Sequence, residues 1–195
     1  MEKEIRSFAL QDVHIEDREG QNMPVIFGHA AVFNSLSENL GGFRERIRTG
    51  AFREAIDQDD IRALFNHNPD YILGRNRSGT LKLSEDERGL AIEIDPPDTN
   101  VARDLIASMK RGDVTQMSFG FSVKPDGQEW AEDDDGMIIR TLTNVRLFDV
   151  SPVTYPAYPE TDVAVRSLQG WRKELEQSRA IPLSLFEKYQ VLSES

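Results

Sequence analysis

TQMSFGFSV, from Thr115 to Val123, alternates with period 2: Met117, Phe119, Phe121 and Val123 share one face, and Ser118, Gly120 and Ser122 the other. This is the pattern of a strand with one apolar face for a core and one face of very small residues. A bare face leaves room for a second backbone to pack closely, or it displays a hydroxyl in a cleft. The segment before it, DTNVARDLIASMKRGDV (Asp98–Val114), reads as a helix. Asp98 or Thr99 is its N-cap, Val101, Leu105 and Met109 form an apolar stripe, Lys110 and Arg111 sit in the last turn, and Gly112 is the stop. That stop puts Ser118 near a helix-to-strand corner, where a nucleophile can be exposed.

Upstream the texture is β. EIRSFALQDVHIED (Glu4–Asp17) and MPVIFGHAAVFN (Met23–Asn34) read as strands, and TGAFREAIDQ (Thr49–Gln58) as a short helix. IRALFNHNP (Ile61–Pro69), YILGR, GTLKLSED and GLAIEIDPP read as short strands closed by Gly, Pro or Asp. Downstream, Asp135-Gly136 marks a hairpin turn, and NVRLFDVSPV is a further strand. From about residue 160 the texture changes: ETDVAVRSLQG reads as a linker, and WRKELEQSR and PLSLFEKYQVL as two short helices. The fold class expected is α+β and β-dominated, a small closed or partly closed barrel flanked by helices. The expected division is a barrel domain over 1–160 and a linker with a helical tail over 161–195.

Composition removes several function classes. The 195 residues include no cysteine, so there is no disulfide framework, thiolate metal site or thiol nucleophile. The three histidines, His14, His29 and His67, lie outside metal-ligand spacing of one another, and neither metal nor cofactor is expected. A net charge of −11 argues against nucleic-acid binding. No apolar run approaches the roughly 18 residues of a membrane span, and MEKEIRSFAL lacks a signal-peptide core, so a cytoplasmic protein is expected.

Three side chains stand out. His67 ends its strand beside Pro69, on the side of Ile61, Ala63 and Phe65, where it lines a cleft or simply caps a turn. Ser118 is a strand serine of a kind common on packed faces, and no G-x-S-x-G elbow surrounds it. Asp149 continues the apolar row Val145, Leu147 and, beyond it, Ser151. A charge there must be paired: it orients a histidine, or it bridges to Arg146 or Arg140, or it caps the turn before Pro152. EDDDG (Glu132–Gly136) is the solvated tip of a hairpin, with no cation-loop spacing.

Taken in order, LFNHNPDYILGR, VARDLIASMKRGDVTQMSFGFSV and VRLFDVSPVTYPAYPETDVAVR, with IFGHAAVFN and FRERIRTGAFREAI upstream, resemble the HK97-type prohead proteases of tailed bacteriophages. The resemblance spans about Phe8 to Arg166. It implies a fold related to the herpesvirus maturation proteases, which are serine enzymes on a β-barrel. It implies Ser118 as nucleophile, His67 as general base and Asp149 as third member, with no cofactor. Asn68 departs from the family, where Asp commonly follows the histidine. The activity implied is endoproteolysis of the scaffolding segment of the major capsid protein, and of the protease itself, inside the procapsid in the host cytoplasm. The tail over 161–195 is then a self-cleavage product, and a homo-oligomer, with a dimer as one form, is implied. The alternative is a non-catalytic β-barrel assembly module of a capsid.

Overall fold

The computed structural model describes residues 2–8, 13–20, 22–155 and 162–179. In chain order the strands before the long helix are β1 (Glu4–Phe8), β2 (His14–Glu16), β3 (Val25–Val32), β4 (Arg44–Ile47), β5 (Arg62–Phe65), β6 (Asn68–Arg75), β7 (Leu81–Glu85) and β8 (Gly89–Ile94). The short helix α1 (Arg53–Gln58) separates β4 from β5. Helix α2 (Asn100–Arg111) then leads into β9 (Gln116–Val123), β10 (Gln128–Glu132), β11 (Ile138–Leu142) and β12 (Val145–Val153), and α3 (Asp162–Arg179) follows.

These strands form three sheets: β1-β9-β12-β5-β6, β10-β11-β4 and β2-β3-β8-β7. The chain is β-dominated α+β as expected, but none of these sheets is closed into a barrel. The five-stranded sheet stops at β6, which opens on Asn68-Pro69 and leaves Tyr71 and Ile72 exposed, a proline-bearing edge that cannot donate a full ladder. One apolar core joins the five- and four-stranded sheets. β9 contributes Met117, Phe119 and Phe121, all fully buried, and Phe52 meets Phe119 edge-on at 5.4 Å.

Helix α2 starts and stops where its sequence predicts. Thr99 Oγ1 accepts the Ala102 N–H at 3.3 Å, and Gly112 takes φ +83°, the left-handed conformation that glycine adopts without a Cβ clash. Its buried side is Ala102, Leu105 and Ile106, rotated from the expected stripe, so that Val101 and Met109 are only half-buried. A small residue at 102 lets the helix lie close to the core.

Other boundaries move. Glu4–Asp17 holds two strands, β1 and β2, in different sheets. Ile61–Pro69 is not one strand: pairing breaks after Phe65 and a second strand starts at Asn68. The stretch expected as a linker and WRKELEQSR form the single helix α3, which docks on the three-stranded sheet: Leu168 packs with Leu40 and Phe43, and Trp171 stacks on Trp130 at 5.6 Å. PLSLFEKYQVL lies outside the described residues. Among the described residues no helix is long and apolar enough to cross a membrane.

A buried ionic quartet joins β1 to β4 and β11. Glu4, Arg6, Glu45 and Arg140 are all at most 6% exposed. Arg140 donates to Glu4 at 2.8 and 2.9 Å and to Glu45 at 3.0 Å, and Arg6 donates to Glu45 at 2.8 Å and Glu4 at 2.7 Å. Two cations and two anions cancel, so the quartet is tolerable as a set and costly when broken. Arg140→Met leaves two carboxylates on Arg6 alone and is expected to lower stability in urea unfolding by about 3–5 kcal/mol. Burial alone would push the Glu4 carboxyl up, but Arg140 and then Arg6 outweigh it and hold it below the ordinary glutamate value. Stability from a lowered carboxyl is complete above the unfolded value of about 4.3 and is lost as pH falls through the folded one. Glu4→Gln is therefore expected to be less stable than the parent at pH 7, with the gap narrowing as pH falls below about 4.3 and closing only once pH has fallen through the lowered folded value, where the parent also carries a neutral group.

Candidate active site

His67 stands on a two-residue hairpin between β5 and β6, with Phe65 opposite Asn68. Both turn residues have positive φ, Asn66 at 54° and His67 at 55°, as a type I′ turn requires. Neither is glycine, although Asn and His are among the residues that tolerate this region best. The turn is tied to the end of β12. The Asn66 N–H donates to the Pro152 carbonyl at 3.0 Å, and Asn66 Oδ1 accepts the Thr154 N–H at 2.9 Å and its hydroxyl at 3.3 Å. The expectation that His67 shares a strand face with Phe65 is thus replaced: it is aimed by a turn, not by alternation.

Ser118 lies in mid-strand on β9, directly opposite Ser7 of β1 on one side and Ser151 of β12 on the other. Its Oγ is 2.7 Å from His67 Nε2 and 2.9 Å from the Arg6 carbonyl oxygen. His67 Nδ1 faces a carboxylate, so in the neutral ring Nδ1 carries the proton and Nε2 the lone pair. The one hydroxyl proton of Ser118 then has two acceptors, Nε2 and the Arg6 carbonyl.

Asp149 reaches the site through a bulge in β12. Leu147 pairs with Phe121 and Asp149 with Gly120, so Phe148 has no partner between them. The extra residue reverses the alternation. Val145, Leu147 and Val150 go to the core, while Asp149 bonds His67 Nδ1 through Oδ2, which also accepts the Ser151 hydroxyl at 3.0 Å. The expected row of Val145, Leu147, Asp149 and Ser151 on one face is therefore broken. Asp149 Oδ1 pairs with Lys3 Nζ at 2.5 Å. Burial pushes this carboxyl up, but His67 and Lys3 outweigh it and leave it below the ordinary aspartate value. Neither expected arginine partner is used: Arg140 belongs to the quartet, and Arg146 lies over the Phe148 ring, 3.9 Å from Asp59.

The three predicted residues are thus brought into one hydrogen-bonded chain, from hydroxyl to imidazole to carboxylate. Ser118 and His67 line a cleft of about 220 Å³ walled by Ile5, Ser7, Val153 and the exposed Tyr155, with Asp149 buried behind them. A larger cavity of about 540 Å³, lined by Glu4, Lys124, Arg140 and Arg166 among others, holds no histidine and no serine–histidine pair. The other two histidines face carboxylates elsewhere, His14 with Glu16 at 3.2 Å and His29 with Asp86 at 2.8 Å. At the hairpin tip, Asp133 accepts two backbone N–H groups of its own turn.

Of the two uses open to the small face of β9, close packing takes most of it. Ser118 and Ser122 are at most 1% exposed, and the space over Gly120 is taken. A Cβ there would lie 2.6 Å from Asp149 Oδ1 and 3.0 Å from Lys3 Nζ. Asn66, Lys3 and Ser151 were not legible as site residues. The available signals were Asn66-His67 as a positive-φ pair and Gly120 as a close-approach glycine two residues from the serine.

A family model described as caudovirus prohead serine protease matches residues 11–174, which include all three site residues. The prohead protease of Enterobacteria phage HK97 is 26% identical over 208 residues, covering 98% of this chain and 87% of the relative. The solved structure of the bacteriophage T4 capsid assembly protease has a similar fold, with a TM-score of 0.52 at 11% identity, over 79% of this chain and 98% of that one. The resemblance read from the ordered sequence blocks holds across more than four-fifths of the chain, which belongs to the caudovirus prohead serine protease family.

Proposed function

We propose that this chain is a serine endopeptidase that cuts the scaffolding segment from the major capsid protein, and cuts itself, during procapsid maturation in the host cytoplasm. The observation that carries the reading is the 2.7 Å approach of Ser118 Oγ to His67 Nε2, with Nδ1 of the same ring on Asp149.

The chemistry follows from that chain. A hydroxyl is a weak nucleophile until a neighbouring base takes its proton. As Ser118 Oγ bonds to the scissile carbonyl carbon, His67 Nε2 accepts the proton and the carbonyl π electrons move to oxygen. Asp149 holds Nδ1–H in place and stabilises the imidazolium that forms. Collapse of the tetrahedral species breaks the C–N bond, and the Nε2 proton leaves with the amine. Water then enters along the same route, giving its proton to Nε2, and hydrolysis of the ester frees Ser118. Among the described residues, the walls of the cleft beside Ser118 include no Asp, Glu, Lys or Arg, which suits an uncharged peptide segment.

The protease domain in this reading is residues 1–160, and 161–195 is a removable tail in a homo-oligomeric enzyme. The helix in the tail covers Phe43 and Trp130 through Leu168 and Trp171, so removing it uncovers an aromatic surface.

Co-expression with the major capsid protein, read by intact-mass spectrometry, tests the reading. The parent is expected to yield a truncated capsid protein and a shortened protease. Ser118→Ala, which removes one buried oxygen at little packing cost, and His67→Ala are each expected to lower cleavage by about 10³-fold or more while the fold is kept. Cleavage that persists in purified Ser118→Ala protein would refute the nucleophile, and uncut capsid protein with the parent would leave an assembly module instead. Asn66→Ala is expected to lower kcat by about 10- to 100-fold with KM little changed, because it frees the turn that aims His67. Asn66→Asp keeps the acceptor for Thr154 and is expected to restore most of the rate.

A further inference from the structure

We propose that Lys3 is a positioning residue for this reaction: its ammonium, lodged against Asp149 over the side-chain-free Gly120, weakens the hold of Asp149 on a protonated His67 and sets the pH at which the base becomes available. The inference rests on the proposed roles of His67 and Asp149, and on geometry that those roles do not require.

The Asp149 carboxylate is divided. Oδ2 serves His67 and Ser151, and Oδ1 serves Lys3 at 2.5 Å. When His67 takes the Ser118 proton, one buried carboxylate faces two cations at once. A like charge on the far side of the carboxylate disfavours the second cation. Gly120 makes the arrangement possible. It sits opposite Ile5 on one side and Asp149 on the other, and a Cβ there would come within 3.0 Å of both Asp149 Oδ1 and Lys3 Nζ. Lys3, Ile5 and Ser7 point to the same side of β1 as Ser118, while Glu4 and Arg6 turn to the quartet. The segment that supplies the ammonium is therefore fixed from its other face.

Among the described residues, the charges that flank this pair on β1, β5 and β12 are engaged elsewhere. Arg62, beside Asp149 on β5, donates to Asp60 at 3.3 Å. Arg146 on β12 faces Asp59, and Glu2 pairs with Arg166 at 3.0 Å. Lys3 Nζ lies 6.0 Å from the Phe148 ring centroid, on the bulged residue itself. Lys3 is 41% exposed, so solvent screens part of its field and the expected effect is modest.

The test separates charge from packing and reads His67 with and without catalysis. In Ser118→Ala protein, the ring resonances of His67 are titrated by NMR alone, with Lys3→Met and with Lys3→Arg. Lys3→Met is expected to move the titration midpoint up by about half a pH unit, and Lys3→Arg to leave it in place. In the active enzyme the acid limb of kcat/KM is expected to move up by the same amount in Lys3→Met. An unmoved midpoint in Lys3→Met, or an equal shift in Lys3→Arg, overturns the proposal. A purely structural role for Lys3 would lower the plateau rate and leave the limb in place, which also overturns it. A shifted NMR midpoint together with cleavage that survives Ser118→Ala supports the Lys3 effect and sinks the triad assignment, so the two failures are distinct.

Discussion

Ser118 and Phe119 are neighbours on β9, both fully buried, and they face opposite ways. Phe119 and its alternates Met117 and Phe121 pin the strand to the core. A slip of one residue would turn the serine into the core and a phenyl ring into the cleft. Strands pair with β9 on both sides, so its register is held by two ladders and a packed face together. The candidate site can therefore stand in mid-sheet, on a backbone with little freedom to drift.

That rigidity sets the task for the partners of the serine. His67 and Asp149 must be delivered to a fixed point, and regular strand geometry delivers neither. Each arrives through a local irregularity: a left-handed turn for the histidine and a bulge for the acid. The turn places two non-glycine residues in a region that costs about 1 kcal/mol or more per residue, and the Asn66 bonds to Pro152 and Thr154 oppose that cost. The bulge in β12 has Gly120 as the partner of Asp149 across the ladder. Gly120 thus makes room for the carboxylate that the bulge re-aims.

How much of this was legible follows from what alternation can encode. The alternation of β9, the Gly112 stop of α2 and the Asp135-Gly136 hairpin are local patterns that the sequence carries, while the N-cap is narrowed only to Asp98 or Thr99 and proves to be Thr99. The order of the five blocks pointed to the family and, through it, to Ser118, His67 and Asp149. The periodicity of NVRLFDVSPV misplaced Asp149, because a bulge is an insertion in pairing and leaves no mark on a single strand. Asn66-His67 was read through as strand because hairpin signals rest on glycine, and here two larger residues take its conformations. The quartet and Lys3 depend on residues up to 146 positions apart, which no local window joins. The barrel was inferred from many short strands, but strand count does not say whether the edges meet.

β1 acts on the site through its backbone as well as through Lys3. The Arg6 carbonyl competes with His67 for the Ser118 proton, and no side-chain substitution removes a carbonyl. The ladder between β1 and β9 holds that carbonyl beside Ser118, and the Arg6 guanidinium bonds Glu4 and Glu45. When the imidazole carries two protons, Nε2–H donates to Ser118 Oγ and the hydroxyl donates to Arg6, so every group in the chain is satisfied. When it carries one, the hydroxyl has two acceptors, and the proposed attack requires that it donate to Nε2. The buried quartet, neutral as a set, thus anchors through Arg6 the same strand whose backbone carbonyl accepts the Ser118 hydroxyl.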